Sequence, residues 1–102
     1  MNSAIDYPFE YSHVTAAKLV HTGSCVLHTV VINSNDTSGP LYATIYDGTN
    51  AGGTAIAVID VDAGKTYYVL PVTLLYDVKM TTGIYVGFSA ETNTADLTVT
   101  FK

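Results

Sequence analysis

The sequence predicts an all-β fold, a single-domain β-sandwich of about eight antiparallel strands preceded by an extended N-terminal arm. Three observations predict it. Thr, Val, Ile and Tyr supply 41 of the 102 residues, and β-branched and aromatic side chains suit a pleated, half-buried surface. Short runs of such residues recur at sandwich-like spacing with turn residues between them. No segment of helical period interrupts the series.

Residues 1 to 11 form the predicted arm and residues 12 to 102 the predicted sandwich. In the arm, Ile5, Tyr7, Pro8, Phe9 and Tyr11 follow no clean periodicity, and Pro8 has no N–H to give to a ladder. Large apolar groups are costly to leave in water, so the arm is expected to lie on its own domain or on a neighbouring subunit.

Eight strands are then read at 13 to 21, 24 to 33, 41 to 47, 54 to 61, 65 to 71, 73 to 79, 84 to 89 and 96 to 102. Between them stand Thr22-Gly23, the polar run Asn33 to Pro40, the Gly-rich run Asp47 to Gly53, Ala63-Gly64 and Thr81-Thr82-Gly83. Period-two alternation assigns faces. Leu97, Val99 and Phe101 are expected in the core opposite Asp96, Thr98, Thr100 and Lys102. Ile84, Val86 and Phe88 separate likewise from Tyr85 and Gly87, and Leu41, Ala43 and Ile45 from Tyr42, Thr44 and Tyr46. Residues 26 to 32 are apolar at nearly every position, which predicts either a strand covered on both faces or a bulge that changes its register.

Composition also narrows function. Nine acidic residues against four Lys and no Arg give a net charge of −5, so nucleic-acid phosphates would be repelled. No stretch approaches the roughly 20 apolar residues that span a bilayer, and the first 11 residues lack the basic and apolar regions of a secretory signal. The lone Cys25 suits assembly in a reducing cytoplasm.

Candidate chemistry is sparse. His21, Cys25 and His28 are metal-ligand types, but on a regular strand Cys25 and His28 point to opposite faces. Asp60 and Asp62 share a face, yet two carboxylates fall short of the roughly six oxygens of a calcium site, and Asp47 and Asp77 are discounted with them. Gly23-Ser24-Cys25 is not a nucleophile elbow, and Gly48 to Thr54 lacks the Gly-Lys-Ser/Thr ending of a phosphate loop. No enzymatic activity, cofactor or metal is expected.

The ordered series Thr44-Ile45-Tyr46-Asp47-Gly48-Thr49-Asn50-Ala51-Gly52-Gly53-Thr54, Gly64-Lys65-Thr66, Thr82-Gly83-Ile84-Tyr85-Val86 and Leu97-Thr98-Val99 resembles small virion structural proteins of tailed bacteriophages, of the capsid decoration or cement type. The resemblance spans about residues 13 to 102 and leaves the arm outside. It implies a β-sandwich or jelly-roll domain, made in the host cytoplasm, that binds the outer surface of an assembled capsid. The implied partners are the major capsid protein and further copies of the chain, with a homotrimer favoured. Cement needs adhesive patches rather than an active site, so Tyr42, Tyr46, Tyr67 and Tyr85 join Ile5, Tyr7, Pro8, Phe9 and Tyr11 as interface candidates. The arm and one tyrosine-bearing face are expected to dock together across subunit joints. An alternative is a carbohydrate- or receptor-binding fibre or tail module, with tyrosines stacked on sugars; the absence of Trp counts against it.

Overall fold

The computed structural model describes residues 9–34, 41–61, 71–90 and 95–102. These residues form eight antiparallel strands and no helix: β1 (Glu10–Val14), β2 (Lys18–Thr22), β3 (Cys25–Ser34), β4 (Tyr42–Asp47), β5 (Thr54–Asp60), β6 (Val72–Met80), β7 (Gly83–Phe88) and β8 (Asp96–Phe101). Sheet I has the order β1-β8-β3-β6 and sheet II the order β2-β7-β4-β5.

The pairings follow one rule. β1 pairs with β8, β2 with β7, β3 with β6 and β4 with β5. A doubled chain closed at the β4–β5 turn is thus wrapped so that successive pairs alternate between sheets, which is the jelly-roll arrangement. The all-β sandwich expected from composition and alternation is what the chain forms.

The inward positions read from alternation are buried: Leu97, Val99 and Phe101 on β8, Ala43 and Ile45 on β4, and Ile84 and Val86 on β7. Leu27, Val30 and Ile32 join them from β3. Leu27 and Val30 both face inward although three positions apart, because the ladder slips at His28. The apolar run at residues 26 to 32 is therefore resolved as a bulged strand.

The strand boundaries differ from the sequence reading near the N-terminus. The single strand expected at 13 to 21 is two strands, β1 and β2, in different sheets, joined by a bend at Thr15, Ala16 and Ala17. No Gly, Pro, Asn or Asp marks that bend, so β patterning runs through it unbroken. The strand expected at 65 to 71 lies, except for Pro71, outside the described residues. The expected arm also shortens: Glu10 and Tyr11 belong to β1, opposite Phe101 and Thr100.

One end of the sandwich is tied by its turns. The Asp47 carboxylate accepts hydrogen bonds from the backbone N–H groups of Thr81 (3.0 Å), Thr82 (2.8 Å) and Gly83 (3.3 Å) and from the Thr81 hydroxyl (3.0 Å). These donors, led by the Thr81 and Thr82 amides, hold its carboxyl below the ordinary 3.8. Gly23 N–H donates to Thr82 O at 2.8 Å, from a backbone at φ +105°. At Gly83 a Cβ would lie 2.4 Å from the His21 carbonyl oxygen, so only glycine lets β2 and β7 close there.

Candidate interaction faces

The two sheets turn chemically different faces to solvent. On sheet II the outward residues form short rows across the strands. Leu19, Tyr85, Tyr46 and Ala55 stand in one row, and Gly87, Thr44 and Val58 in the next. None of these carries a charge. Leu19 (43%), Tyr42 (42%) and Val58 (63%) are the exposed large apolar groups of this sheet, while Tyr11 and Leu75 are exposed on sheet I. The Tyr46 and Tyr85 rings approach to 6.1 Å between centroids, and both lean over Gly87, where a Cβ would meet their ring edges at 3.2 and 3.5 Å. A glycine beneath two cross-strand tyrosines lets the rings settle against the sheet, which fixes their direction at little entropic cost. Asp60, opposite Tyr42, lies at one corner of this surface.

Sheet I instead carries linked polar groups. The His13 imidazole donates through Nε2 to Asp96 at 2.7 Å, and the Asn33 amide donates to Asp96 at 2.9 Å and to the Thr98 hydroxyl at 3.0 Å. Those two side-chain donors, Asn33 first and then His13, keep the Asp96 carboxyl below its ordinary value. Thr29 is buried, and both its N–H (3.1 Å) and its hydroxyl (2.5 Å) bond to Thr100 Oγ1. At the bulge, His28 Nδ1 meets Asp77 at 2.5 Å. Asp77 reaches that position with φ at +50°, a left-handed backbone rarely adopted by residues other than glycine. The Phe9 ring then stacks on His28, 3.9 Å between centroids and 11° from parallel, with the Lys102 ammonium 5.5 Å from the Phe9 ring centre.

The interface residues expected from sequence are thus divided. Tyr42, Tyr46 and Tyr85 share the outer face of sheet II. Phe9 and Tyr11 lie on the outer face of sheet I, Tyr11 being 75% exposed. A joint docking surface made of the arm and the tyrosines is not what the described residues form, because the hydrophobic core separates them. Ile5, Tyr7, Pro8 and Tyr67 lie outside the described residues. Leu19 and Val58 were not singled out from sequence. Leu19 sits beside a register shift in β2, and Val58 in an apolar run whose register shifts at Ile56, so simple alternation missed both.

The candidate metal ligands do not converge. Cys25 is buried, with burial foremost, and then the Asp47 charge, pushing its thiol above the ordinary 9.0. The His21 ring packs against Phe101, 5.3 Å between centroids, while His28 faces outward to Asp77. Asp62 lies outside the described residues. Among the described residues no three such side chains gather, no cavity opens, and no helix is long and apolar enough to cross a membrane. No family model matches the chain, and no curated protein or solved structure shows significant similarity to it.

Proposed function

We propose that the chain is a non-enzymatic virion structural protein of the capsid decoration type, and that it grips the outer surface of an assembled shell through the outer face of sheet II. The observation that carries this reading is the surface of Leu19, Tyr42, Tyr46, Tyr85 and Val58, uncharged side chains on a sheet where the Tyr46 and Tyr85 rings lean over Gly87. The middle of such a surface can shed its water without stranding a charge, Asp60 lying at its corner beside Tyr42, and tyrosine adds a hydroxyl at its rim. The motif resemblance supplies the partner, the major capsid protein. Self-association, with a trimer favoured, would multiply weak contacts into avidity.

The test is co-sedimentation with tailed-phage heads assembled without this chain. The wild-type protein is expected to bind at a copy number that scales with the whole shell, and Val58→Lys to lose that binding while remaining folded. Binding in a few copies at one vertex, or to oligosaccharide in preference to shells, would replace this reading with a fibre or receptor-binding one.

A further inference from the structure

The connection between β1 and β2 differs in kind from the other described crossings between sheets. The β2–β3 crossing turns at Gly23, with φ at +105°. The β6–β7 crossing turns at Gly83, held by the Asp47 carboxylate. The β1–β2 crossing passes through Thr15-Ala16-Ala17, which offers neither a glycine nor a side chain that favours turns. Among the described residues, no backbone hydrogen bond closes this bend. The tie across it is the Lys18 ammonium, which donates to the His13 carbonyl at 3.3 Å and is exposed. Residues 13 to 21 carry the pattern of one uninterrupted strand, and straightening the bend would produce it.

β1 is also held on one side only. It is an edge strand of five residues whose only ladder partner among the described residues is β8. It nevertheless holds Val14, fully buried, and Phe9, stacked on His28. A chain that opened alone would expose both to water. A chain that opened beside another would not, since β1 could pair with the other molecule's β8, seat Phe9 on its His28 and bury Val14 in its core. The β1–β8 ladder, the Phe9–His28 stack and the burial of Val14 are then remade between chains, the exposed Lys18–His13 contact across the bend is given up, and the bend that lacks turn chemistry is relieved.

We infer that β1 is an exchange strand: the bend at residues 15 to 17 opens, and β1 of one copy completes sheet I of a second copy of the same chain. The partner is fixed by chemistry, because the seat left by β1 is shaped for β1 itself, from Glu10 opposite Phe101 to Val14 opposite Leu97. Exchange uses sheet I alone. It stands whether or not sheet II binds a shell, and loss of shell binding leaves it intact.

His13 and Thr98 are directly opposed across β1 and β8 and lie on the outer face, at a spacing that cross-strand cysteines can bridge. The test places His13→Cys and Thr98→Cys in a Cys25→Ala background, oxidises the native full-length protein, and separates the chains under denaturing, non-reducing conditions. Exchange predicts covalent species of two or more chains. It also predicts that Ala16→Asn with Ala17→Gly, which supplies the missing turn residues, returns the cross-link to single chains and lowers the native mass to one chain. Cross-links confined to single chains in the parent double-cysteine protein at every concentration would overturn the inference. Should the cysteine variant fail to fold, native mass decides. A monomeric wild-type protein, or an oligomer of unchanged mass after Ala16→Asn with Ala17→Gly, overturns exchange, and dissociation of a wild-type oligomer by the turn substitutions supports it.

Discussion

The outer faces of the two sheets are built from the same alternating strands, yet sheet I links its outward polar groups to one another beside exposed Tyr11 and Leu75, whereas sheet II presents uncharged rows of side chains with no such polar network. On sheet I, Asp96 joins His13 and Asn33, Thr29 joins Thr100, and Asp77 joins His28. On sheet II the two outward rows, Leu19-Tyr85-Tyr46-Ala55 and Gly87-Thr44-Val58, contain no charged residue. The difference teaches where to look for stability and where for binding. A polar group that is bonded to a neighbour destabilises the fold when its partner is removed, whereas an exposed apolar group is nearly silent in the fold and costly only at an interface.

The largest effect that would break this contrast lies on sheet II. Replacing Tyr46 and Tyr85 together by Ala is expected to weaken shell binding by at least about 2 kcal/mol, roughly thirtyfold, as buried aromatic anchors do. Titration of shells with labelled protein measures it, and an unchanged affinity would remove the tyrosines from the interface. On sheet I the expected effect falls on stability. Thr100→Val strands both the N–H and the hydroxyl of buried Thr29, at a cost of about 1–3 kcal/mol. Denaturant unfolding reads that cost, and Thr29→Val added to Thr100→Val should recover the hydroxyl share but not the share of the stranded amide.

Acid supplies a smaller contrast. The Asp96 and Asp47 carboxyls are both held below their ordinary 3.8 by hydrogen bonds to the charged form. A carboxyl depressed on folding contributes stability that is complete above its unfolded value and is lost as pH falls through the folded one. Thermal midpoints are therefore expected to drop as pH falls below about 4, with a shallower drop in Asp96→Asn and in Asp47→Asn. Equal slopes in all three proteins would contradict the assignment. The smallest effect belongs to Leu75 on β6, 66% exposed. Leu75→Thr should change stability by no more than about 0.5 kcal/mol and leave shell binding as it was.

Much of the fold was legible because alternation is a local signal. Leu97, Val99 and Phe101, or Ala43 and Ile45 against Tyr42, Thr44 and Tyr46, announce their faces within six residues. The bend at Thr15 to Ala17 was not legible, since no Gly, Pro, Asn or Asp stands there to mark the change of sheet. The bulge at His28 was foreseen only as one of two explanations for an apolar run. The candidate faces were half legible. Alternation says that Tyr42, Tyr46 and Tyr85 point outward, but not from which sheet, and it assigns no face to the aperiodic Phe9 and Tyr11, so residues grouped by composition fell on opposite sides of the core. The His13–Asp96 and His28–Asp77 pairs join residues 83 and 49 positions apart. Such pairs depend on strand order, which period-two patterns do not encode.

The most direct measurement is hydroxyl-radical footprinting of the full chain, free and bound to shells, read at individual side chains. The account predicts that binding shields Leu19, Tyr42, Tyr46 and Tyr85 while Leu75 stays as reactive as in the free protein. Shielding of Leu75 and the other outward residues of sheet I, with the sheet II tyrosines unchanged, would contradict it.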